Sequence, residues 1–162
     1  MYLVDADVLI TAKNRYYGFD IVPAFWDWLA EQHTAGRLFM PQRVADELLD
    51  GDDELSDWLK SQPASLRLQV VPADQQHLQD VATWANGTTT YAPAAKAGFL
   101  AGGDFFLVAL GRSRGFTVVT NEVSAPQARQ RIKIPDACQA LGVTCMSPFA
   151  MLRAEGARFR LR

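Results

Sequence analysis

Residues 2–10 read YLVDADVLI. Tyr2, Leu3, Val4, Val8, Leu9 and Ile10 are apolar or strand-forming, yet Asp5 and Asp7 stand among them. A short apolar run suits a central strand of a parallel sheet, which is covered on both faces. An ionised carboxylate inside such a core is costly unless it is paired or binds a cation. The strand is therefore expected to end near the acids. That places Asp5 at a carboxyl end, where functional groups of open α/β sheets gather. Asp7 is expected to cap a helix beginning at Val8.

Outward from this stretch, strands and helices alternate. Strands are expected at about 2–5, 69–71, 117–120 and 143–146. VPAFWDWLAEQHTAG (22–36) reads as a helix with Pro23 in its first turn and Gly36 at its end. LFMPQRVADELLDG (38–51) begins extended, turns at Pro41 into a helix and stops at Gly51. DDELSDWLKSQ (52–62) is a short amphipathic helix with an acidic first turn. Asp74 can cap DQQHLQDVATWAN (74–86). The stretch 87–103 is the most loop-like, although APAAKAGFLA (92–101) can hold a short helix. GDFFLVALGRSRG (103–115) is a strongly apolar helix, and SAPQARQRIKIP (124–135) a basic loop. Asp136 is placed to cap DACQALG (136–142), and Ser147 to cap the last helix. This alternation implies a parallel sheet with helices on both faces, in one domain spanning 1–162.

Composition narrows the function. The 162 residues are 49% hydrophobic and carry a formal net charge of −2. That argues against a generic polyanion binder and leaves room for a local basic patch. Cys138 and Cys145 read as buried small side chains, since one pair specifies no disulfide framework and no His stands nearby to complete a metal site. His33 and His77 lie in polar helical surroundings, so a His-based zinc site or a Ser-His-Asp triad has little support. No basic leader with a long apolar run opens the chain, and no stretch approaches about 18 apolar residues without a charge. A cytoplasmic, membrane-free protein is expected.

Four acids fall where simple patterning would put a neutral residue. Asp5 ends the first strand, Glu47 lies beside the apolar face of VADELL, Asp104 opens an apolar helix and Glu122 follows VVTN. Each has a plain alternative: Asp104 as an N-cap, Glu47 as a solvated helix residue, Glu122 as a loop acid. Taken together, they would meet at one rim of the sheet. Crowded carboxylates repel, and some stay protonated unless a cation joins them. Hard divalent ions take such oxygen ligands, and Mg²⁺ uses few of them. A site of this kind can promote attack of water on a phosphodiester.

YLVDADVLI resembles the opening motif of PIN-domain proteins: a hydrophobic strand, Asp, a small residue, Asn or Asp, and an apolar run. VADELL is similar to their second motif, a helix with an inward Glu. GGDFFLVALGRSRGFTVVTNE (102–122) is similar to the third, an Asp opening an apolar helix that leads into a strand ending Thr-Asn-Asp. The closing KIPDACQALGVTCMSPFAMLRAEG (133–156) is similar to a bacterial PIN-like subfamily. The resemblance implies a three-layer α/β/α sandwich and a Mg²⁺- or Mn²⁺-dependent endoribonuclease, with a toxin–antitoxin role, an antitoxin partner and a homodimer among its implications. It assigns Asp5, Glu47 and Asp104 to the metal. Glu122 stands where the family has Asp, one methylene longer, so water-mediated contact is an alternative to direct ligation. Thr120 matches a hydroxyl that hydrogen-bonds the first Asp, Asn121 can orient the cluster or touch phosphate, and Asp7 replaces the usual Asn.

RNA needs cations. Arg129, Arg131 and Lys133 form a basic cluster beside an expected site strand, and Lys96 is a further candidate phosphate contact. Arg112, Arg114 and the tail residues Arg153, Arg158, Arg160 and Arg162 add charge. Any of these can equally be a solvated surface residue. Tyr16, Tyr17 and Phe19 can stack on unpaired bases, or pack, or form a partner interface. A non-catalytic PIN-like module that binds RNA or protein is the alternative to the enzyme.

Overall fold

A computed structural model describes residues 1–160. The opening run forms strand β1 (Tyr2–Val4), all of it buried. Helix α1 (Ala6–Thr11) follows at once, with Asp5 at its N-cap position. The expected start at Val8 under an Asp7 cap is therefore corrected: Asp7 lies in the first turn. The cause is local. Asp5 is extended (φ −74°, ψ 149°), and its N–H still donates to Val119 O at 3.0 Å, so strand hands over to helix without a loop. α1 runs on into a π-helical turn, Ala12–Tyr16.

α2 (Pro23–Thr34) leads to β2 (Leu38–Pro41), α3 (Gln42–Leu49) and α4 (Glu54–Ser61). β3 (Arg67–Leu68), α5 (Gln75–Gly87), α6 (Pro93–Ala101) and α7 (Gly103–Arg114) come next. β4 (Thr117–Val119), α8 (Ile134–Leu141), β5 (Cys145–Met146) and α9 (Pro148–Ala154) complete the order. The sheet order is β3-β2-β1-β4-β5, and every pairing is parallel. Tyr2 stands opposite Leu38 on one side and Thr117 on the other, and Val4 opposite Val119. With helices on both faces, this is a three-layer α/β/α sandwich.

Two strands differ from expectation. β2 was expected only as the extended start of a helix, because Pro41 ends it and disguises a strand next to the sheet centre. β3 lies at 67–68 rather than 69–71. The strand-forming Val70 and Val71 run on past the sheet edge, 37% and 42% exposed.

α7 is apolar all round because it is covered all round. It packs on β1, β2 and β4, and α3, α5 and α6 pack on it. Leu107, Val108, Ala109 and Leu110 are fully buried. A Cβ on Gly111 would stand 2.8 Å from Val118 Cγ2, so glycine lets α7 ride close to β4. Gly115, at φ 65°, turns the chain directly into that strand.

Asp53 and Ser147 cap α4 and α9 by accepting from Ser56 N (3.0 Å) and Ala150 N (3.2 Å). Asp136 does not cap α8, which starts earlier, after Lys133; its carboxylate accepts instead from Ala125 N at 2.9 Å and from Ser124. His33 is buried rather than in polar surroundings, its ring nitrogens paired with Leu38 O and Ser65 Oγ at 3.0 and 2.9 Å. Cys138 and Cys145 are both free, the first buried and the second half-buried. Among the described residues no single helix is long and apolar enough to cross a membrane.

Candidate functional site

β1 and β4 are neighbours, so the residues that follow them meet at one rim of the sheet. Asp5 leaves β1 and Thr120 leaves β4. Thr120 Oγ1 donates to Asp5 Oδ2 at 3.0 Å, and both residues are buried. The same hydroxyl accepts from Glu122 N at 3.1 Å and so bends the chain after the strand. Asn121 Nδ2 reaches across to α1 and donates to Asp7 Oδ2 at 3.2 Å. α3 brings Glu47, and α7, packed against α3, brings Asp104.

Asp5, Asp7, Glu47, Asp104, Asn121 and Glu122 line one open cleft of about 410 Å³. All four acids singled out by pattern thus share a surface. Asp104 sits in the first turn of α7, behind the Gly102 cap position, so it is not the N-cap. A Cβ on Gly103 would lie 2.8 Å from Glu47 Oε1 and 3.0 Å from Val44 Cγ2. Glycine before Asp104 is therefore what lets the Glu47 carboxylate lie beside α7.

Two cations complete the cleft. Arg131 Nη2 stands 2.5 Å from Glu122 Oε1 and 3.9 Å from Asp104 Oδ2, and Lys133 Nζ stands 3.9 Å from Glu122 Oε1. Glu122 Oε2 accepts from Ile134 N at 2.7 Å. Both oxygens of Glu122 are thereby tied to the basic loop. Among the described residues, no three His, Cys, Asp or Glu side chains form a ready-made metal site.

The other proposed phosphate contacts lie elsewhere. Lys96 donates to Asn86 O at 3.1 Å, and neither it nor Arg129 lines the cleft. Arg112 and Arg114 are ion-paired with Asp80 and Asp74 and brace α7. Arg162 lies outside the described residues. Tyr17 stacks on Phe25 (4.3 Å between ring centres) and Phe19 on Trp26 (4.0 Å), so these two pack inward.

Burial, then the charge of Asp104, pushes the Asp5 carboxyl up to about 7, against the pull of the Thr120 hydrogen bond. Burial, then the charge of Glu122, pushes Asp104 up to about 6, with Arg131 opposing. Near neutral pH a proton and any bound cation compete for the same carboxylates.

A family model described as a domain of unknown function, DUF4411, matches residues 2–159. The chain belongs to the DUF4411 family. The match includes every residue of the cleft. No curated protein and no solved structure matches the chain. Two features of the DUF4411 cleft have little or no signature in the sequence: the close approach at Gly103 and the backbone N–H of Ile134 that holds Glu122. The GGD triplet before α7 was the only available signal for the first; the second has none in the local sequence.

Gly103→Ala is expected to cost about 1–3 kcal/mol, because Val44 and Glu47 must both shift. Urea denaturation measures that cost.

Proposed function

We propose that this DUF4411 chain is a PIN-like, Mg²⁺- or Mn²⁺-dependent endoribonuclease. The observation that carries the reading is the convergence of Asp5, Glu47, Asp104 and Glu122, from separate elements, on one open cleft that also holds Arg131 and Lys133. The donor set fits a hard divalent ion in kind: it is all oxygen and anionic, and burial, with neighbouring charge second, raises the proton affinity of two of its members. Asp5, Asp104 and Glu47 would hold the ion with few protein oxygens, as suits Mg²⁺. When bound, such an ion supplies Lewis-acid polarisation of the phosphodiester and acidifies water.

The chain's own groups divide the remaining work. The Thr120 hydroxyl fixes the orientation of Asp5, and the Asn121 amide that of Asp7. Glu122 anchors Arg131 and Lys133 at the cleft edge, where they would meet phosphate as sequence-independent charges. Glu122 is thus an anchor of the basic loop more than a direct ligand. The toxin role and antitoxin partner belong to the same reading through the PIN resemblance, and a cytoplasmic location is proposed with them.

The second reading is a non-catalytic RNA- or protein-binding module. One observation favours it: Arg131 and Ile134 N occupy both oxygens of Glu122, which leaves one acid fewer for an ion. One assay separates the two. Single-stranded RNA is incubated with Mn²⁺, with EDTA, and with an Asp5→Asn, Asp104→Asn variant in Mn²⁺. Cleavage confined to the first mixture supports the enzyme. Cleavage that survives in either control removes the metal–carboxylate mechanism, and tight binding without cleavage supports the module.

A further inference from the structure

We infer that Tyr16 and Phe149 form a stacking platform for an unpaired RNA base beside the acidic cleft; the inference rests on the nuclease reading for the identity of the strand. Tyr16 closes the π-helical turn after α1, and such irregular turns occur often at functional sites. The next residue, Tyr17, turns inward onto Phe25, which leaves Tyr16 facing outward. Phe149 lies in the first turn of α9, far away in sequence. Folding brings the two rings to 5.4 Å between centres at 74°. Among the described residues, Tyr16 (51%) and Phe149 (38%) are the two aromatic members of the exposed large hydrophobic set. The remaining rings of the YYGFDIVPAFWDW stretch are buried or packed against the core.

The place of the pair selects its occupant. Asn121 lines both the aromatic notch and the acidic cleft, so the two adjoin at that side chain. Ile10, 39% exposed, also lines the cleft. The cleft also shares Asp104 and Arg131 with a hollow of about 290 Å³ beside Ala95 and Gly98 of α6. The notch itself, about 10 Å³, is too shallow to hold a free small molecule. A shelf of exposed ring surface leading into a cleft with cations suits a strand with its phosphate in the cleft and one base laid on the rings. In a duplex, stacking on neighbouring bases would cover that base face, so the substrate is single-stranded.

The test is fluorescence anisotropy with a labelled oligouridylate in EDTA, where no metal-dependent cleavage occurs. Tyr16→Ala, Phe149→Ala together should weaken binding about tenfold, the order expected for one lost base stack. Tyr16→Phe, Phe149→Tyr should bind like the parent, and circular dichroism should show all three chains folded alike. A strand with abasic positions should bind the parent and the double-Ala chain equally. Equal affinity of those two chains for the intact strand overturns the platform. So does a parent chain that binds no single strand, which would make the rings a protein-contact surface. The cleavage assay keeps the two readings apart. Mn²⁺-dependent cleavage with unchanged kcat/KM in the double-Ala chain removes the platform alone. Tyr16-dependent binding without any cleavage removes the nuclease alone.

Discussion

Asp5→Asn should give a chain that unfolds at a higher temperature than the parent at pH 8 without divalent ions, yet loses nearly all RNA cleavage. The stability half follows from linkage. The Asp5 carboxyl moves from its ordinary 3.8 to about 7 on folding, through burial first and the charge of Asp104 second. A raised folded value means that stability is fully present below 3.8 and is lost as pH climbs through about 7. At pH 8 the whole penalty is in force, and removing it is worth roughly 2–4 kcal/mol. For a domain of this size that corresponds to about 4–16 °C in Tm. Asn keeps an oxygen for the Thr120 hydroxyl, so packing is little disturbed. The gain should shrink as pH falls from 8 towards 4, where the parent's carboxyl regains its proton. The activity half follows from the proposed ion site: loss of a principal ligand should lower the cleavage rate by at least about 100-fold. Thermal melts from pH 4 to 8, paired with an RNA cleavage assay in Mn²⁺, check both. A variant less stable than the parent at pH 8 would mean that the fold favours the ionised Asp5 rather than penalising it.

Asp74→Ala should have the opposite effect on stability, costing about 3–5 kcal/mol at pH 7. Asp74 is 1% exposed and does not line the cleft. Its carboxylate accepts from Arg114 Nη2 (2.8 Å) and Nε (3.2 Å), from Ser113 Oγ (2.7 Å) and from Val71 N (2.8 Å). Burial alone would raise its pKa, but the bonds from Arg114, Val71 and Ser113 hold it down to about 2. Here the sign reverses: the stabilisation is present above 3.8 and is lost as pH falls through about 2. Alanine leaves the half-buried Arg114 without its ion pair and frees the turn Pro72–Asp74 from the end of α7. Urea denaturation at pH 7 measures the loss. A cost under 1 kcal/mol would show that the network contributes little.

The acidic site was legible because it follows from strand ends. Asp5 and Thr120 meet since β1 and β4 are neighbours, and apolar neighbours on both sides of Asp5 mark that strand as central. Glu47 and Asp104 were legible as acids on otherwise apolar helix faces. What stayed hidden depends on distance in space rather than on local pattern. Asp74 looks like a helix cap, and its partner Arg114 like loose surface charge, until the fold joins them across 40 residues. Lys96 looks like a phosphate contact, but the end of α5 claims it through Asn86 O. Tyr16 and Tyr17 are adjacent and alike in sequence, and only the π-helical turn sends one outward and the other into the core. Pro41 hides β2 for a related reason: a proline that ends a strand and opens a helix looks, in sequence, like the helix alone.

The account depends on a cation sharing the cleft with Asp5, Glu47 and Asp104. Mn²⁺ titration followed by electron paramagnetic resonance, at pH 7.5 on the parent chain and on Asp5→Asn, Asp104→Asn, tests that directly. The parent should bind one or two ions saturably, and the folded variant should lose that binding. Equal uptake by both chains, or none by the parent, would contradict it.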